Sequence, residues 1–253
     1  MKITLLGTGT SQGIPVMACT CKVCQSNNPK DNRLRTSALI EVDGKNLVID
    51  CGPDFRQQML RENVTFLDAV LITHEHQDHI AGLDELRSFI FRQDKSMPIY
   101  AEERVVTNIK QRFPYAFSQS PYPGAPSFKM HNINSGDLHI EGVEIEAIRV
   151  QHGKLPILGY KIGSFAYITD VNDIPDKSKA LLGNLDVLVL DALHHRPHHS
   201  HYNVHEALAV LEELKPEKAY LTHISHDMGL HDEITNQLPE NIELAYDGQQ
   251  FTF

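Results

Sequence analysis

The stretch FLDAVLITHEHQDH, residues 66–79, decides how this sequence is interpreted. Its first seven residues form an apolar run, which predicts a buried β-strand. The polar residues that follow include His74, His76, Asp78 and His79. Side chains two positions apart in an extended segment point the same way, so His74 and His76 can both face one metal ion. Asp78 and His79 lie at the turn into the next predicted helix, where they can face a second ion nearby.

The composition favours a globular metalloprotein. The chain has 253 residues, with 41% hydrophobic and 22% charged side chains, which fits one large domain or two small ones. Its formal net charge of −10 gives no general attraction to nucleic acid or to an anionic membrane. No apolar run approaches the roughly 18 residues of a membrane span. Histidine occurs 15 times, and this excess points to a metal site because histidine is the commonest metal ligand.

The predicted elements suggest a mixed β-sandwich covered by helices. Asp43-Gly44 between two apolar runs indicates a hairpin turn. Asn203, with Glu206 three residues later, predicts a capping box at a helix start. The Pro-rich stretch 114–127 is too irregular for a core element, and we expect an ordered loop that serves as a lid or an interface arm. Strands are predicted at 2–6, 36–42, 46–50, 66–72, 98–101, 143–149, 159–162, 165–169, 185–190, 218–222 and 242–246, and helices at 54–62, 80–92, 103–112, 203–214 and 230–237.

Three of the four cysteines are crowded into one loop as Cys19-x-Cys21-x₂-Cys24. This spacing does not suit a disulfide framework, so a reducing cytoplasm is the simplest setting. Thiols packed this closely in a cytoplasmic protein usually hold Zn²⁺, which is tetrahedral and needs a fourth ligand. Two candidates for that ligand are open. Cys51 reads better as a small buried residue at a strand end, and His226 lies in the segment THISH late in the chain.

The spacing His74-x-His76-x-Asp78-His79 resembles the signature of the metallo-β-lactamase superfamily, and the resemblance covers the whole chain. It implies a four-layer αββα sandwich of the α/β (α+β) class, with two divalent cations at strand ends. The remaining family positions occur in order at the ends of predicted strands. The ligands that the resemblance implies for the first metal are His74, His76 and His152. Those that it implies for the second metal are Asp78, His79 and His223, with Asp170 as the bridging carboxylate.

The cysteine loop narrows this resemblance to the phosphoribosyl 1,2-cyclic phosphate phosphodiesterase family. In that family three cysteines and a histidine just after the last catalytic ligand hold a structural zinc. The positions that match in this sequence are Cys19, Cys21, Cys24 and His226. The expected organisation is therefore a single domain, residues 1–253, with a zinc-binding loop at about 15–30.

A diester hydrolase also has to protonate or stabilise its leaving oxygen. The segment HHRPHHSH, residues 194–201, offers five histidines after a predicted strand. The family pattern of histidine, small residue, histidine before a helix matches its last three residues. The resemblance thus implies that His201 is the general acid or a phosphate contact, with His199 and His198 as the alternatives.

Two further carboxylates, Asp50 and Asp191, each end a hydrophobic strand. They can orient the imidazole ligands from behind, although a capping role fits the sequence equally well. The ligand types themselves suit Zn²⁺, Mn²⁺ or Fe.

The resemblance implies a metal-dependent hydrolase, a phosphodiesterase of small or cyclic phosphodiesters. A hydroxide that bridges the two metals would attack phosphorus, and Asp78 and His201 would be the catalytic side chains. The implied cofactors are two catalytic divalent metals, Zn²⁺ or Mn²⁺, and one structural Zn²⁺. The expected protein is a cytoplasmic homodimer with no membrane or nucleic-acid partner. Two alternatives stay open, a tRNA 3′-processing endonuclease and a non-hydrolytic protein similar to pyrroloquinoline quinone biosynthesis protein B.

Overall fold

The computed structural model describes residues 1–120 and 122–253, and within them most strands belong to two large sheets. The strands of the first sheet lie side by side in the order Gln250–Thr252 (β14), Lys2–Gly7 (β1), Ser37–Val42 (β2), Lys45–Ile49 (β3), Ala69–Leu71 (β4), Met97–Ala101 (β5) and Phe128–Asn132 (β6). Those of the second lie in the order Ile242–Leu244 (β13), Lys218–Thr222 (β12), Val187–Asp191 (β11), Phe165–Ile168 (β10), Leu155–Ile162 (β9), Val143–His152 (β8) and Gly136–Ile140 (β7).

Short helices connect the strands and cover the outer faces of the sheets. Their bounds are Phe55–Arg61 (α1), Gln77–Ile80 (α2), Arg87–Gln93 (α3), Glu103–Arg112 (α4), Asp176–Lys179 (α5), Val204–Leu214 (α6) and His231–Thr235 (α7). Among the described residues, none of these helices has the length and apolar character that crossing a bilayer requires.

Apolar side chains form three buried clusters, which define four layers. The middle cluster joins side chains of both sheets, such as Ile49 and Tyr160. A second cluster packs α1, α3 and α4 on the first sheet through residues such as Ile90. The third packs α6 on the second sheet through residues such as Ala207 and Leu211. Each sheet is therefore apolar on both faces, and the predicted αββα sandwich is confirmed.

Local sequence patterns predicted a hairpin turn and a helix start correctly. Asp43 and Gly44 both have positive φ, 49° and 73°, as a tight hairpin turn between β2 and β3 requires. The Asn203 side chain accepts a hydrogen bond from the Glu206 amide at 3.0 Å, and the Glu206 carboxylate accepts from the Asn203 amide at 3.0 Å. The capping box at the start of α6 is thus confirmed, and an alanine at its N-cap would cost about 1 kcal/mol of stability.

The helix predicted at 80–92 is instead broken into α2, a 3₁₀ turn at Leu83–Leu86, and α3. The reason is a close backbone approach at Gly82, where an added Cβ would lie 2.0 Å from the carbonyl oxygen of Gly52. Because the loop after β3 presses on this point, one continuous helix cannot pass. This break gives α2 only four residues and leaves the histidine loop directly against the loop after β3.

The sequence pattern did not indicate β6, β7, β14 or α5. These elements are short, with three to five residues each, and the exposed alternation in β7 is weak as a local signal. Pairing with neighbours decides them, as for β14, which lies antiparallel to β1 with Lys2 opposite Thr252.

The stretch 114–127 contains a 3₁₀ turn at Pro114–Phe117 and is otherwise irregular, although Pro121 lies outside the described residues. The Tyr115 hydroxyl donates to Asp84 at 2.6 Å, and the same carboxylate accepts from Arg87. The stretch is therefore anchored to the segment between α2 and α3. Its role as a lid or an interface arm stays a prediction.

Candidate metal centre

The side chains expected to bind metal all lie at the carboxyl ends of strands. The histidine loop follows β4, His152 is the last residue of β8, Asp170 lies two residues after β10, and His223 directly follows β12. Asp170 and His223 have φ values of 57° and 58°, in the left-handed region that non-glycine residues seldom adopt. Backbone strain of this kind collects at functional sites, where the surrounding structure holds it in place.

The structure brings these residues together as two adjacent groups. In each group the potential donor atoms lie within 4.8 Å of one another. The first group is His74, His76 and His152. The second group is Asp78, His79, Asp170 and His223. These sets match the ligands that the sequence resemblance implied, although they come from four separate parts of the chain.

Asp170 lies between the two groups. One carboxylate oxygen is 3.3 Å from His79 Nε2, and the other is 3.3 Å from His223 Nε2. The second oxygen is also 4.0 Å from His74 Nε2, which belongs to the first group. The Asp170 carboxylate can therefore reach cations in both positions.

Hydrogen bonds behind the site fix which ring nitrogen of each histidine is free to bind a cation. The Thr73 hydroxyl donates to Asp50 at 2.9 Å, so it accepts from Nδ1 of His74, also at 2.9 Å. His79 Nδ1 donates to Asp50 at 2.7 Å, and His152 Nδ1 donates to the Ser200 carbonyl at 2.8 Å. Because Nδ1 is engaged behind the site in each case, Nε2 is the ring nitrogen that faces a cation.

A test of the fit to metal ions comes from buried nitrogens without partners. Nε2 of His79 and Nε2 of His223 are buried and form no hydrogen bond within the described residues. A buried polar atom left unpaired costs about 1–3 kcal/mol. Imidazole nitrogens and carboxylates that converge in this way suit divalent cations such as Zn²⁺ and Mn²⁺. The residues therefore fit a two-metal centre.

The charges in the second group stabilise one another. Burial opposes ionisation of Asp170, but His223 and His79 outweigh it and hold the Asp170 pKa well below its usual value. Burial likewise disfavours a charged His79, whereas Asp170, Asp50 and Asp78 together raise its pKa well above the usual value. By contrast, burial and then the neighbouring His79 lower the pKa of His74. The Asp170 carboxylate is thus ionised and able to bind cations at neutral pH.

Asp191 supports the opposite side of the centre. Its carboxylate lies 3.3 Å from His201 Nδ1 and 3.5 Å from His223 Nδ1, and it accepts from the Tyr202 amide at 3.2 Å. Asp50 and Asp191 therefore stand behind the ligand histidines, as one of the two sequence interpretations predicted. Asp50 also has a positive φ, 62°, so the backbone turns its carboxylate toward the histidine loop.

His201 lies next to both groups. Its ring centroid is 4.6 Å from that of His223 and 4.7 Å from that of His152. Burial disfavours its charged form, but the charge of Asp191 and the hydrogen bond to it outweigh burial and raise the His201 pKa to about 9. His201 is therefore protonated at neutral pH in the metal-free protein. Of the alternative candidates, His198 lies 5.1 Å from His201 by ring centroids, and His199 lines a cavity together with His76 and His152.

The other two histidines of this loop have local roles. His194 Nδ1 accepts from the Arg196 amide at 3.2 Å, and His195 Nε2 donates to the Met228 carbonyl at 2.8 Å. These contacts hold the loop against the 3₁₀ turn at His226–Met228.

The cysteine cluster forms a separate group, in which four potential donor atoms lie within 4.8 Å of one another. His226 Nδ1 lies 3.2 Å from the sulfur of Cys19, 3.5 Å from that of Cys21 and 3.5 Å from that of Cys24. Cys51 is fully buried in the apolar cluster outside the first sheet and is not part of this group. Three thiols and one imidazole suit a structural Zn²⁺. Such an ion would tie the cysteine loop to the residues that follow His223.

We expect Cys21→Ser to lower the zinc content by about one ion per chain and to destabilise the fold more than it slows chemistry. Cys51→Ala is the matched control, because it removes a thiol without touching this cluster. Elemental analysis and thermal unfolding of both variants check the prediction. Full zinc content in Cys21→Ser, or equal zinc loss in Cys51→Ala, would contradict it.

A cavity of about 390 Å³ opens beside the first group and gives access to His76 and His152. Its wall also contains Lys154 and His199, and none of the described residues that line it is acidic. Lys154 sits in the two-residue turn between β8 and β9 and was missed at the sequence level. The sequence contained a signal for this turn, because a glycine, Gly153, directly follows His152 and precedes Lys154. In the structure Gly153 has a positive φ, 63°, as such a turn requires.

Comparison with known proteins agrees with this geometry. A family model described as "Beta-lactamase superfamily domain" matches residues 45–224, and the chain belongs to this superfamily. Within it the chain is similar to a diphosphatase of the PhnP family, whose crystal structure has 41% sequence identity and a TM-score of 0.93 and covers 99% of this chain and 96% of that one. The chain is thus a PhnP-like member of the metallo-β-lactamase superfamily, which confirms the resemblance seen in the sequence.

Two curated relatives match over smaller shares of their own length. An octanoyltransferase from Porphyromonas gingivalis is 41% identical over 251 residues, which are 98% of this chain and 51% of that protein. A ribonuclease Z from Agathobacter rectalis is 30% identical over 143 residues, which are 53% of this chain and 44% of that protein. The chain spans about half the length of the octanoyltransferase.

Proposed function

We propose that the protein is a dinuclear metal-dependent phosphodiesterase that hydrolyses small or cyclic phosphodiesters. The observation that carries the proposal is the position of Asp170, whose carboxylate lies 3.3 Å from ligand atoms of the second group and 4.0 Å from one of the first. When bound, a pair of divalent cations supplies Lewis-acid charge and lowers the pKa of water toward ~7. The ligand sets of the two groups would hold those cations.

The chain's own residues supply the remaining functions. His201, protonated at neutral pH, donates a proton to the leaving oxygen, while Asp191 holds its ring through Nδ1. Asp78 is a ligand whose ionised form is favoured, since His79 and His223 together outweigh burial and lower its pKa. Lys154 and His199 make the wall of the cavity attractive to an anionic substrate.

The volume of the cavity supports a small substrate. A volume of about 390 Å³ fits the range of roughly 300–1,000 Å³ typical of small-molecule sites. A small diester agrees with this volume better than a folded RNA, and the net charge of −10 also disfavours a polyanion. The homodimer, the cytoplasmic location and the choice of Zn²⁺ or Mn²⁺ stay predictions from the resemblance.

A second candidate is hydrolysis of a diphosphate linkage. It is favoured by the similarity to the PhnP-family diphosphatase over nearly the full length of both chains. Both reactions are attacks on phosphorus that break a P–O bond; a diester releases an alcohol and a diphosphate linkage releases a phosphate, so the same ligand side chains would serve both.

We expect turnover of bis-p-nitrophenyl phosphate and 2′,3′-cyclic nucleotides by purified protein with added Mn²⁺ or Zn²⁺, and loss of turnover with a chelator. Inorganic diphosphate, ADP and a precursor tRNA complete the substrate panel, and p-nitrophenyl phosphate serves as the monoester control. Absence of metal-dependent turnover of any diester would overturn the proposal. Selective cleavage of diphosphates would favour the second candidate, and efficient cleavage of precursor tRNA would favour the endonuclease alternative.

A further inference from the structure

A guanidinium group from α4 contacts both segments that supply the first group of histidines. Arg104 forms an ion pair with Glu75, which lies between His74 and His76. Its Nη2 also donates to the carbonyl of Pro156 on β9 at 2.9 Å. Pro156 pairs with Gln151 on β8, the residue directly before His152. Arg104 therefore contacts the residue between His74 and His76, and it also contacts the strand partner of the residue before His152.

The two segments belong to different sheets. His74 and His76 follow β4 of the first sheet, whereas His152 ends β8 of the second. On this side of the sandwich the Leu158 amide donates to the Thr73 carbonyl at 3.2 Å, and the Tyr160 hydroxyl donates to the Ile72 carbonyl at 2.8 Å. These bonds hold the start of the histidine loop to β9. Arg104 adds a restraint at the next part of the loop, because it bonds to Glu75 and to Pro156.

Charge pairing keeps Arg104 in this place. Glu102 lies 3.8 Å from Arg104 and accepts from Arg149 at 2.8 Å and 2.5 Å. These four side chains therefore form a row of alternating negative and positive charges with no net charge: Glu75, Arg104, Glu102 and Arg149. Such a network is more rigid than a single surface ion pair, because each side chain is already restrained by another partner.

Glu75 is the member that depends most on Arg104. One of its oxygens pairs with Arg104, and the other is buried without a hydrogen-bond partner within the described residues. Its side chain is 15% exposed, so it receives little solvation from water. Removing the guanidinium would leave a poorly solvated carboxylate, and the backbone between His74 and His76 would move to expose it.

We propose that Arg104 is a positioning residue for the first metal site, acting through Glu75 on one side and Pro156 on the other. The inference rests on the two-metal centre of the proposed function. It assigns to Arg104 a share in fixing the spacing between the histidine loop and His152, in addition to the backbone bond from Leu158 to Thr73, and it leaves the second group independent of this contact.

The test measures metal affinity by titrating metal-free protein with Zn²⁺ and Co²⁺, without substrate. Arg104→Met should weaken binding of one catalytic ion by about 10- to 100-fold, the range typical of residues that orient ligands. The other catalytic ion and the cysteine site should keep their affinities. Arg112→Met is the matched control, because Arg112 is on the same helix and, among the described residues, hydrogen-bonds only to Asn108 of that helix. It should change neither affinity.

Combining Arg104→Met with a variant that disables one metal site shows which site loses affinity. In His76→Ala, where the second group alone is intact, Arg104→Met should have no further effect on the affinity that remains. In Asp78→Ala, where the first group is intact, the loss should persist. Glu75→Gln provides a milder second variant, and its effect combined with Arg104→Met should be clearly less than additive, because both changes remove the same contact.

Unchanged affinity in folded Arg104→Met, an equal loss at both sites, or the same loss in Arg112→Met would each overturn the inference. If Arg104→Met does not fold, Glu75→Gln carries the same test. The outcome is separable from the proposed function, because metal affinity is measured without any reaction. Diester hydrolysis with unchanged affinity would reject this inference alone, and lost affinity without diester hydrolysis would reject only the function.

Discussion

Replacing Asp170 by asparagine should lower the rate of diester hydrolysis by at least about 10³-fold and release at least one catalytic ion per chain. Both oxygens of Asp170 face ligand nitrogens, and its pKa is held low, so the native residue supplies a full negative charge between the two cations. An amide offers one neutral oxygen in its place. Elemental analysis and steady-state kinetics on a diester measure the two effects.

A suitable control for this change is Asp137→Asn, which removes an exposed aspartate on β7, in the strand at the edge of the second sheet. It should retain full activity and metal content. An Asp170→Asn protein that kept both ions and more than about a tenth of the native rate would contradict the assignment of this carboxylate.

The second large effect is expected for His201→Asn, which should slow hydrolysis by about 10²- to 10⁴-fold while all metal ions stay bound. The loss should be greatest for substrates with an alkoxide leaving group, such as 2′,3′-cyclic nucleotides. It should be smaller for p-nitrophenyl esters, since their leaving group needs little help from a proton. The same substrates measured with His198→Asn and His199→Asn separate the three candidates.

The pH profile gives an independent check on this assignment. A general acid acts in its protonated form, so the native rate should fall as the pH rises through the His201 pKa. That pKa is raised to about 9 by Asp191, and cations bound next to the ring would lower it. His201→Asn should lack this alkaline decline. A variant that retains the decline, or that loses activity only together with its metals, would show that His201 is not the acid.

Local sequence patterns were sufficient for the parts of this protein that short-range contacts decide. The hairpin at Asp43-Gly44 and the capping box at Asn203 follow from residue types with known backbone preferences, and both are present. The helix at 80–92 was predicted too long because its break depends on Gly52, about thirty residues earlier in the chain. Helical periodicity cannot report such a distant contact.

The candidate site likewise has features that the sequence predicted and features that only the structure shows. The types and spacing of His74, His76, Asp78 and His79 predicted a metal site directly from the sequence, and the family resemblance named the distant ligands. It did not show the hydrogen bonds that select Nε2 in each histidine, because these come from Asp50, Thr73 and the Ser200 carbonyl. Lys154 and Arg104 were also missed, since their importance arises from what they approach in space.

The amino-acid sequence by itself determined the ligand chemistry, a loop of imidazoles and carboxylates after a buried strand, and the separate cluster of thiols. Only the tertiary structure decided that His152, Asp170 and His223 meet that loop, because the order of strands in two sheets sets which carboxyl ends are neighbours. Residue type fixes which cation a side chain can bind, whereas packing of the two sheets fixes the distance between donors.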